Sequence, residues 1–509
     1  MVARIAGAIA LIIVALSAVQ AADWVQWGGS GSRNMISSET GLPSWFDASS
    51  AGGNLRWTIK LGNRGYSSPV VAGGKVFIGT SFGDNPYCFG RKLNRGGAVM
   101  CFDESTGKFL WQLAIPLNAV HDSTFDLGRI LCGVCSTAVV DEDRLYIVSS
   151  KDEMLCLDVD GQSDGNQGPF MNEAGYMGDP KNRELSGTDG DIIWRLDMIA
   201  DKRIQSRPHD AADCSVLILG DLLYVSPCNG IDAKNRRVIH PNAPNLIAVD
   251  KRTGRLVARD HTQIGSRIFH GSWSSPSTGR VGGRDLIFYG GGNGVCYAFD
   301  SQPAPPAKGQ SIGVLKTVWQ FDLNAAAGRR GRYLAYSGPS EIIATPVFYK
   351  NRVYVATGQD PTHPNSGGLG ALVCIDAART GNITRSGKVW LFKGIGRSLS
   401  TVAIANGLLY VADNPGRVYC LDAETGKLYW RRDTKQAICS SPMVADGKVY
   451  VGTDSGDLWV FAAGKTPRLV SKFHVGTGIT ATTTAANGVL YVATRTRLYA
   501  AAVKGKSAR

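Results

Sequence analysis

Apolar and polar positions alternate along this chain in short runs that stop at Gly, Asp, Asn or Ser. In "SSPMVADGKVYVGTDSGDLWVFAAGK", Ser440 to Lys465, three such runs are parted by turn residues. Alternation with a period of two over so few residues marks a half-buried strand, so this segment predicts a hairpin followed by a returning third strand. The design recurs in "SSPVVAGGKVFIGT" from Ser67 and in "STVAIANGLLYVAD" from Ser400. The second strand of each copy is marked by Phe77, Tyr146, Tyr224, Phe288, Tyr354, Tyr410, Tyr450 and Tyr491, which counts eight units.

The third strands end on a hydrophobic, small, hydrophobic, acidic pattern: "MCFD" at Met100, "LCLD" at Leu155, "IAVD" at Ile247, "YAFD" at Tyr297, "VCID" at Val373 and "YCLD" at Tyr419. "WVFA" at Trp459 and "YAAA" at Tyr499 keep the rhythm without the acid. Cys101, Cys156, Cys374 and Cys420 occupy the small position that Ala248 and Ala298 hold elsewhere, so they read as small core hydrophobes. Turns such as "DESTGK" (Asp103 to Lys108), "DKRTGR" (Asp250 to Arg255) and "DAETGK" (Asp422 to Lys427) lead into a fourth strand. Asp bonds nearby amides and Gly accepts positive φ there. That strand carries Trp111, Trp194, Trp319, Trp390 or Trp430, each expected to wedge between sheets.

Four strands repeated eight times predict an all-β fold: an eight-bladed β-propeller of four-stranded antiparallel blades around a central channel. The eighth unit lacks its fourth strand, and "NLRWTIKL", Asn54 to Leu61, has the pattern to supply it and close the ring. Seven blades with a stray hairpin is the competing architecture, and the count disfavours it.

Composition adds compartment and charge. Of 509 residues, 62 are Gly and 44% are hydrophobic, as suits a folded chain that turns often. Residues 1–22 combine Arg4, an apolar run and small residues at Ala21 and Ala22, and read as a signal peptide. No Cys follows for lipid attachment, so the reading is a periplasmic or secreted protein with no membrane span after cleavage. Residues 23–53 form an N-terminal extension and 54–506 the propeller. The net charge of +13 favours anionic partners. It lies along the whole chain without a basic run, which argues against nucleic acid.

In an antiparallel blade, the links after strands two and four emerge on one face. Most long segments fall there: 81–99, 116–134, 197–212, 229–245, 261–272, 324–341 and 359–371. They carry His121, His209, His240, His261, His270 and His363, with Arg203, Arg207, Arg236, Arg237, Arg267, Arg329, Arg330 and Arg332. Such loops are where a rigid scaffold places function, although six His without tight spacing do not define a metal site. The first strands should begin at that mouth and set Tyr66, Cys135, Asp213, Trp273, Glu341, Arg397 and Cys439 in a ring.

The "DxxTGKxxW" units, with "GGKVFIGT" and "DGKVYVGT" before them, resemble the pyrroloquinoline-quinone (PQQ) type propeller repeat over nearly all of Asp23 to Lys506. "DWVQWGGSGSRN" from Asp23, "HGSWSSPS" from His270 and "IIATPVFYKNRVYVATGQDP" from Ile342 resemble exported bacterial propellers of that type, mostly of unassigned function. The resemblance makes PQQ and calcium conceivable cofactors, neither of them certain. A quinone bearing three carboxylates needs cations, a flat ring to stack on, oxygen ligands for a metal and a carboxylate base. The ring offers Arg397 for the anion and Trp273 for stacking. Asp213 and Glu341 are candidates for base or metal ligand, and Asn293 of "GGGNG" for metal ligand, where a plain Gly-rich turn is the stronger reading.

Against an enzyme, the resemblance leads one to expect adjacent Cys in many quinone dehydrogenases, and this chain has none. Cys132 and Cys135 of "LCGVCST" could form a rim disulfide, a metal half-site or nothing, the rim disulfide being the favoured reading, and "CGVCS" lacks the His of a haem site. Two functions follow. One is a binding platform that takes a protein, a glycan or an anionic ligand on its loop-rich face. The other is a PQQ- and calcium-dependent dehydrogenase of an alcohol or sugar.

Overall fold

The computed structural model describes residues 22–503 except 50–52, 88–90, 92–94, 118–131, 180–182, 233, 235–236, 334 and 361–367. His121, His363 and Arg236, and the signal peptide expected over 1–22 apart from Ala22, lie outside the described residues. Eight antiparallel sheets follow one another along the chain. The first blade is typical: Val70–Ala72, Lys75–Ser81, Gly96–Asp103 and Phe109–Pro116 pair in sequence order. The eighth takes Thr484–Ala486, Val489–Ala493 and Arg497–Ala501 from the carboxy-terminal part of the chain. Its outer strand is Leu55–Lys60, antiparallel to Arg497–Ala501 with Thr58 opposite Tyr499. The ring is thus closed by the segment that the sequence assigned to it.

Two blades depart from four strands. Gly313–Leu315 adds a parallel fifth strand outside Leu256–Asp260, and Gly381–Asn382 does the same outside Thr317–Asp322. Both come from links longer than a tight turn, which have enough chain to fold back onto an outer edge.

Trp indoles lock neighbouring blades, as their spacing predicted. Nε1 donates to a carbonyl of the following blade from Trp111 to Val159 at 2.9 Å, from Trp390 to Ala423 at 3.0 Å and from Trp430 to Gly464 at 2.9 Å. Trp57 of the closing strand repeats the bond to Glu104 at 2.9 Å. The turn glycine lies against the ring: a Cβ on Gly426, at φ 72°, would stand 2.7 Å from Trp390. Cys101, Cys156, Cys374 and Cys420 are buried free thiols in the sheet core, as their position implied.

Around the channel runs a belt of hydroxyls. Each first strand is preceded by a Ser or Thr, and at seven of the eight blade junctions this hydroxyl accepts from the backbone amide of the corresponding residue in the preceding blade. Ser68 N donates to Thr137 Oγ1 at 3.0 Å, Thr137 N to Ser215 Oγ at 3.1 Å and Ser215 N to Ser275 Oγ at 2.9 Å. Thr345, Thr401 and Ser441 continue the series, and Thr482 N returns to Ser68 Oγ at 3.0 Å.

The N-terminal extension is a strap threaded through the channel. Trp24 exchanges backbone bonds with Val71 of blade 1, and Val25 O accepts from Val140 of blade 2. Arg33 reaches Val216 of blade 3, while Gly31 O and Ser32 O accept from Thr278 and Phe348 of blades 4 and 5. Asn34 brackets Ile404 of blade 6 with both ends of its amide. Met35 O takes Val444 N of blade 7, and Ser37 Oγ donates to Ala485 O of blade 8. Sixteen residues, 24–39, therefore touch all eight blades, and the channel becomes a cup closed on one side.

Candidate functional site

The cup is a cavity of about 520 Å³ at the mouth where the first strands begin. Its lining has a simple rule. Two residues before each hydroxyl of the belt, the chain presents Tyr66, Cys135, Asp213, Trp273, Ile343, Leu399, Cys439 and Thr480 in turn, and Trp27 of the strap joins them.

Five of the seven residues expected at the mouth obey that register. In blades 5 and 6 the expected residues stand two positions too early. Arg397 still lines the cavity beside Leu399, whereas Glu341 lies behind the wall, fully buried. Glu341 Oε1 accepts from Tyr333 Oη and from Asp360 N, both at 2.9 Å. Asn293 is held in its own turn: Nδ2 donates to Tyr297 Oη at 2.9 Å and Oδ1 accepts from Val295 N at 3.3 Å. The structure therefore brings Asp213, Trp273 and Arg397 to one cavity, and leaves Glu341 and Asn293 outside its lining.

Cys132 and Cys135 both line the cavity, as free thiols rather than the expected rim disulfide. Cys135 Sγ turns toward the carbonyl oxygens of Cys132 and Gly133, each at 3.9 Å, so the two sulfurs are not joined in this conformation.

A second set of lining residues was not foreseen. Just past the second strands of blades 5 to 8, Asp360, Asn414, Asp454 and Arg495 face inward. The repeat itself carries the signal for three of them, since Asn414, Asp454 and Arg495 each stand two residues beyond the strand, whereas Asp360 stands three beyond. Asn414 Oδ1 accepts from Arg397 Nε at 3.1 Å and Nη2 at 2.9 Å, and Asp454 Oδ2 lies 3.7 Å from Arg495 Nη2.

Burial dominates the electrostatics. It pushes the Asp213 carboxyl well above its ordinary range, raises Asp454 against the pull of Arg495 and lifts Glu341 to about 7. The same desolvation lowers Arg397 and raises the Tyr66 phenol to about 12. For Cys135 the hydrogen bond with Cys132 is the main cause of a raised pKa, with burial next.

Trp273 is fixed by its Nε1, which donates to the carbonyls of His209 and Ala211, both at 3.2 Å. Its ring stands at 88° to that of His270, with centroids 5.1 Å apart. His209 and His270, from two of the predicted loops, are both buried beside it.

Similarity to known proteins agrees with this architecture. Over 165 residues the chain is 28% identical to the dehydrogenase subunit of a quinone alcohol dehydrogenase from Gluconobacter oxydans, covering 29% of this chain and 19% of that one. It is 39% identical over 56 residues to the outer membrane protein assembly factor BamB of Nitrosomonas eutropha, 11% of this chain and 14% of that one. These matches thus span less than a fifth of either relative. The crystal structure of BamB from Moraxella catarrhalis superposes with a TM-score of 0.50 at 14% identity, covering 89% of this chain and 99% of that one. That likeness speaks for the fold. The family model described as outer membrane protein assembly factor BamB matches residues 48–304 and 316–469, and the chain belongs to this family of PQQ-like propellers.

Proposed function

We infer that the protein is an exported binding platform that engages a protein or glycan partner through its loop-bearing face, with one group of the partner seated in the cup. The carrying observation is the strap. It turns an open channel into a blind pocket floored by Trp27 and walled by every blade, the form of a recognition site. Exposed Arg330 and Arg332 in a first-face loop give the rim a preference for anionic partners.

The alternative, a PQQ- and calcium-dependent dehydrogenase, is suggested by the Gluconobacter relative. The lining does not fit that cofactor. Four carboxyl groups, of Asp210, Asp213, Asp360 and Asp454, face the cavity against the two guanidiniums of Arg397 and Arg495. Three further carboxylates would add to a charge that the wall already resists. The ring proposed for stacking, Trp273, is packed edge to face against His270.

The test is quantitative capture from a cell-envelope extract with the wild type, an Arg330→Glu/Arg332→Glu variant and a Lys108→Glu control in an exposed turn of the opposite face. A partner lost only from the double variant supports the platform. Identical capture by all three removes it. Retention of PQQ by the calcium-loaded protein after desalting would favour the dehydrogenase instead.

A further inference from the structure

His209, Asp210 and His270 lie fully buried in one cluster, and one ligand atom from each falls within 4.8 Å of the others. Two of them come from one inter-blade loop and the third from the next, so the approach is tertiary and has to be built. The builder is the short segment 229–231. On one side Asn229 bridges Pro208, and on the other Gly230 bridges Gly271. Gly230 N donates to Arg207 O and Ile231 N to His270 O, both at 2.9 Å. A Cβ on Gly230 would meet the Cβ of His209 and the carbonyl of His270 at 2.8 Å each, so only glycine lets the two histidine backbones come this close. Asp210 holds a left-handed φ of 62°, and the carbonyls flanking it, of His209 and Ala211, are both pinned by the Trp273 indole.

The same segment sets the chemistry of the ring. His209 Nδ1 lies 3.1 Å from Ile231 O. A carbonyl only accepts, so Nδ1 carries a proton, and in the neutral ring the lone pair is left on Nε2, pointing away from it. Nε2 faces Asp210 Oδ2 at 3.7 Å, and the His270 ring stacks obliquely at a centroid distance of 4.4 Å. An imidazole nitrogen facing a carboxylate oxygen at that spacing is a place for a cation, either a proton on the ring or a metal ion in its stead. An orienting carbonyl behind a ligating imidazole is the usual support of a metal-bound histidine. Asp360 brings a further carboxylate, with Oδ2 3.2 Å from His270 Nδ1, and both Asp210 and Asp360 line the cup.

We propose that His209, Asp210 and His270 bind one divalent transition metal of the zinc class, with a remaining coordination position that opens into the cup between Asp210 and Asp360. Two imidazoles and a carboxylate suit zinc or cobalt(II) far better than calcium, which prefers oxygen ligands alone. Three protein ligands beside a cavity leave room for water or for a donor atom of the partner. The site does not depend on the platform reading, since it could serve a bound partner or act without one.

The test uses the mature, chelator-treated full chain and cobalt(II) or zinc alone. One equivalent should bind, raise the melting temperature and give a cobalt spectrum of nitrogen and oxygen ligation. His270→Gln and Asp210→Asn should each weaken binding by about 100-fold, and Asp360→Asn by roughly 10-fold, the scale of a neighbouring carboxylate. Circular dichroism of each variant confirms that it has folded, and the wild-type titration stands alone if one has not. Absence of a stoichiometric wild-type site overturns the proposal. So does a thiolate-to-cobalt charge-transfer band that vanishes in Cys132→Ser/Cys135→Ser, or equal affinity in folded His270→Gln.

Discussion

Arg33 Nη2 donates to Val216 O at 2.7 Å, joining the extension to the third blade across 183 residues of sequence. The same guanidinium donates to Trp27 O at 2.7 Å, to Pro276 O at 3.0 Å and to the side-chain amide oxygen of Gln26 at 3.3 Å, and is wholly buried. Burial lowers its pKa to about 10, which leaves it charged at neutral pH. A buried cation facing carbonyls alone is costly, and it is stable here because it saturates acceptors from the strap and two blades at once. Arg33→Ala should therefore lower unfolding stability by about 3 kcal/mol, since hydrogen bonds to a charged group are lost and buried carbonyls are left unsatisfied. Urea denaturation of the full chain measures it. A change below about 0.5 kcal/mol would mean that the strap merely rests in the channel.

The hydroxyl belt predicts a smaller and more local effect. Thr137 Oγ1 accepts the amide of Ser68 in a buried environment, and valine has the same shape without the acceptor. Thr137→Val should cost roughly 1–2 kcal/mol, the price of an unsatisfied buried donor. Thr253→Val, in an exposed turn, serves as the comparison and should cost no more than about 0.5 kcal/mol. Comparable losses in the two would show that the belt has no special weight.

Ring closure gives a third. Trp57 packs against Tyr491 with centroids 5.9 Å apart and donates to Glu104 O, so it binds the last blade to the first. Trp57→Ala removes that wedge and should cost about 3–5 kcal/mol. Because this seam joins the two ends of the chain, proteolysis of the variant should begin around residues 54–61. Limited digestion followed by mass spectrometry locates the first cut, and a first cut elsewhere with unchanged stability would show that the seam does not govern opening.

These three sites differ in how visible they were in the sequence. The blades, the closing strand and the Trp wedges were legible because alternation, turn chemistry and a small residue in the third strand are local and recur from blade to blade. The strap was not, because it is held mostly by backbone partners, and residues 24–39 carry no pattern that names Val216 or Ile404 as their neighbours. Ile343 and Leu399 were missed in favour of Glu341 and Arg397 because charged residues draw notice, whereas the register counted from Thr345 and Thr401 was the better guide. The pairing of His209 with His270 could not be read at all. It depends on Gly230 lying between two loops, a tertiary fact that spacing along the chain does not encode.

Glu341 supplies a pH prediction. Burial raises its folded pKa to about 7 from an ordinary 4.5. Between those values the folded state holds a proton that the unfolded state has released, so stability falls as pH rises from about 4.5 through 7. Below 4.5 both states are protonated and the penalty is absent. Glu341→Gln keeps the shape and removes the titration, so in metal-free protein it should gain stability relative to wild type on going from pH 5 to pH 8. The gain should be roughly 1–3 kcal/mol. Asp191, lifted to about 7 for the same reason, contributes a parallel slope that the single variant leaves in place and Asp191→Asn should remove. Urea midpoints at the two pH values measure both. If the difference between Glu341→Gln and wild type is the same at pH 5 and pH 8, Glu341 titrates in the folded protein as it does in water, and the wall behind the cup is wetter than its packing implies.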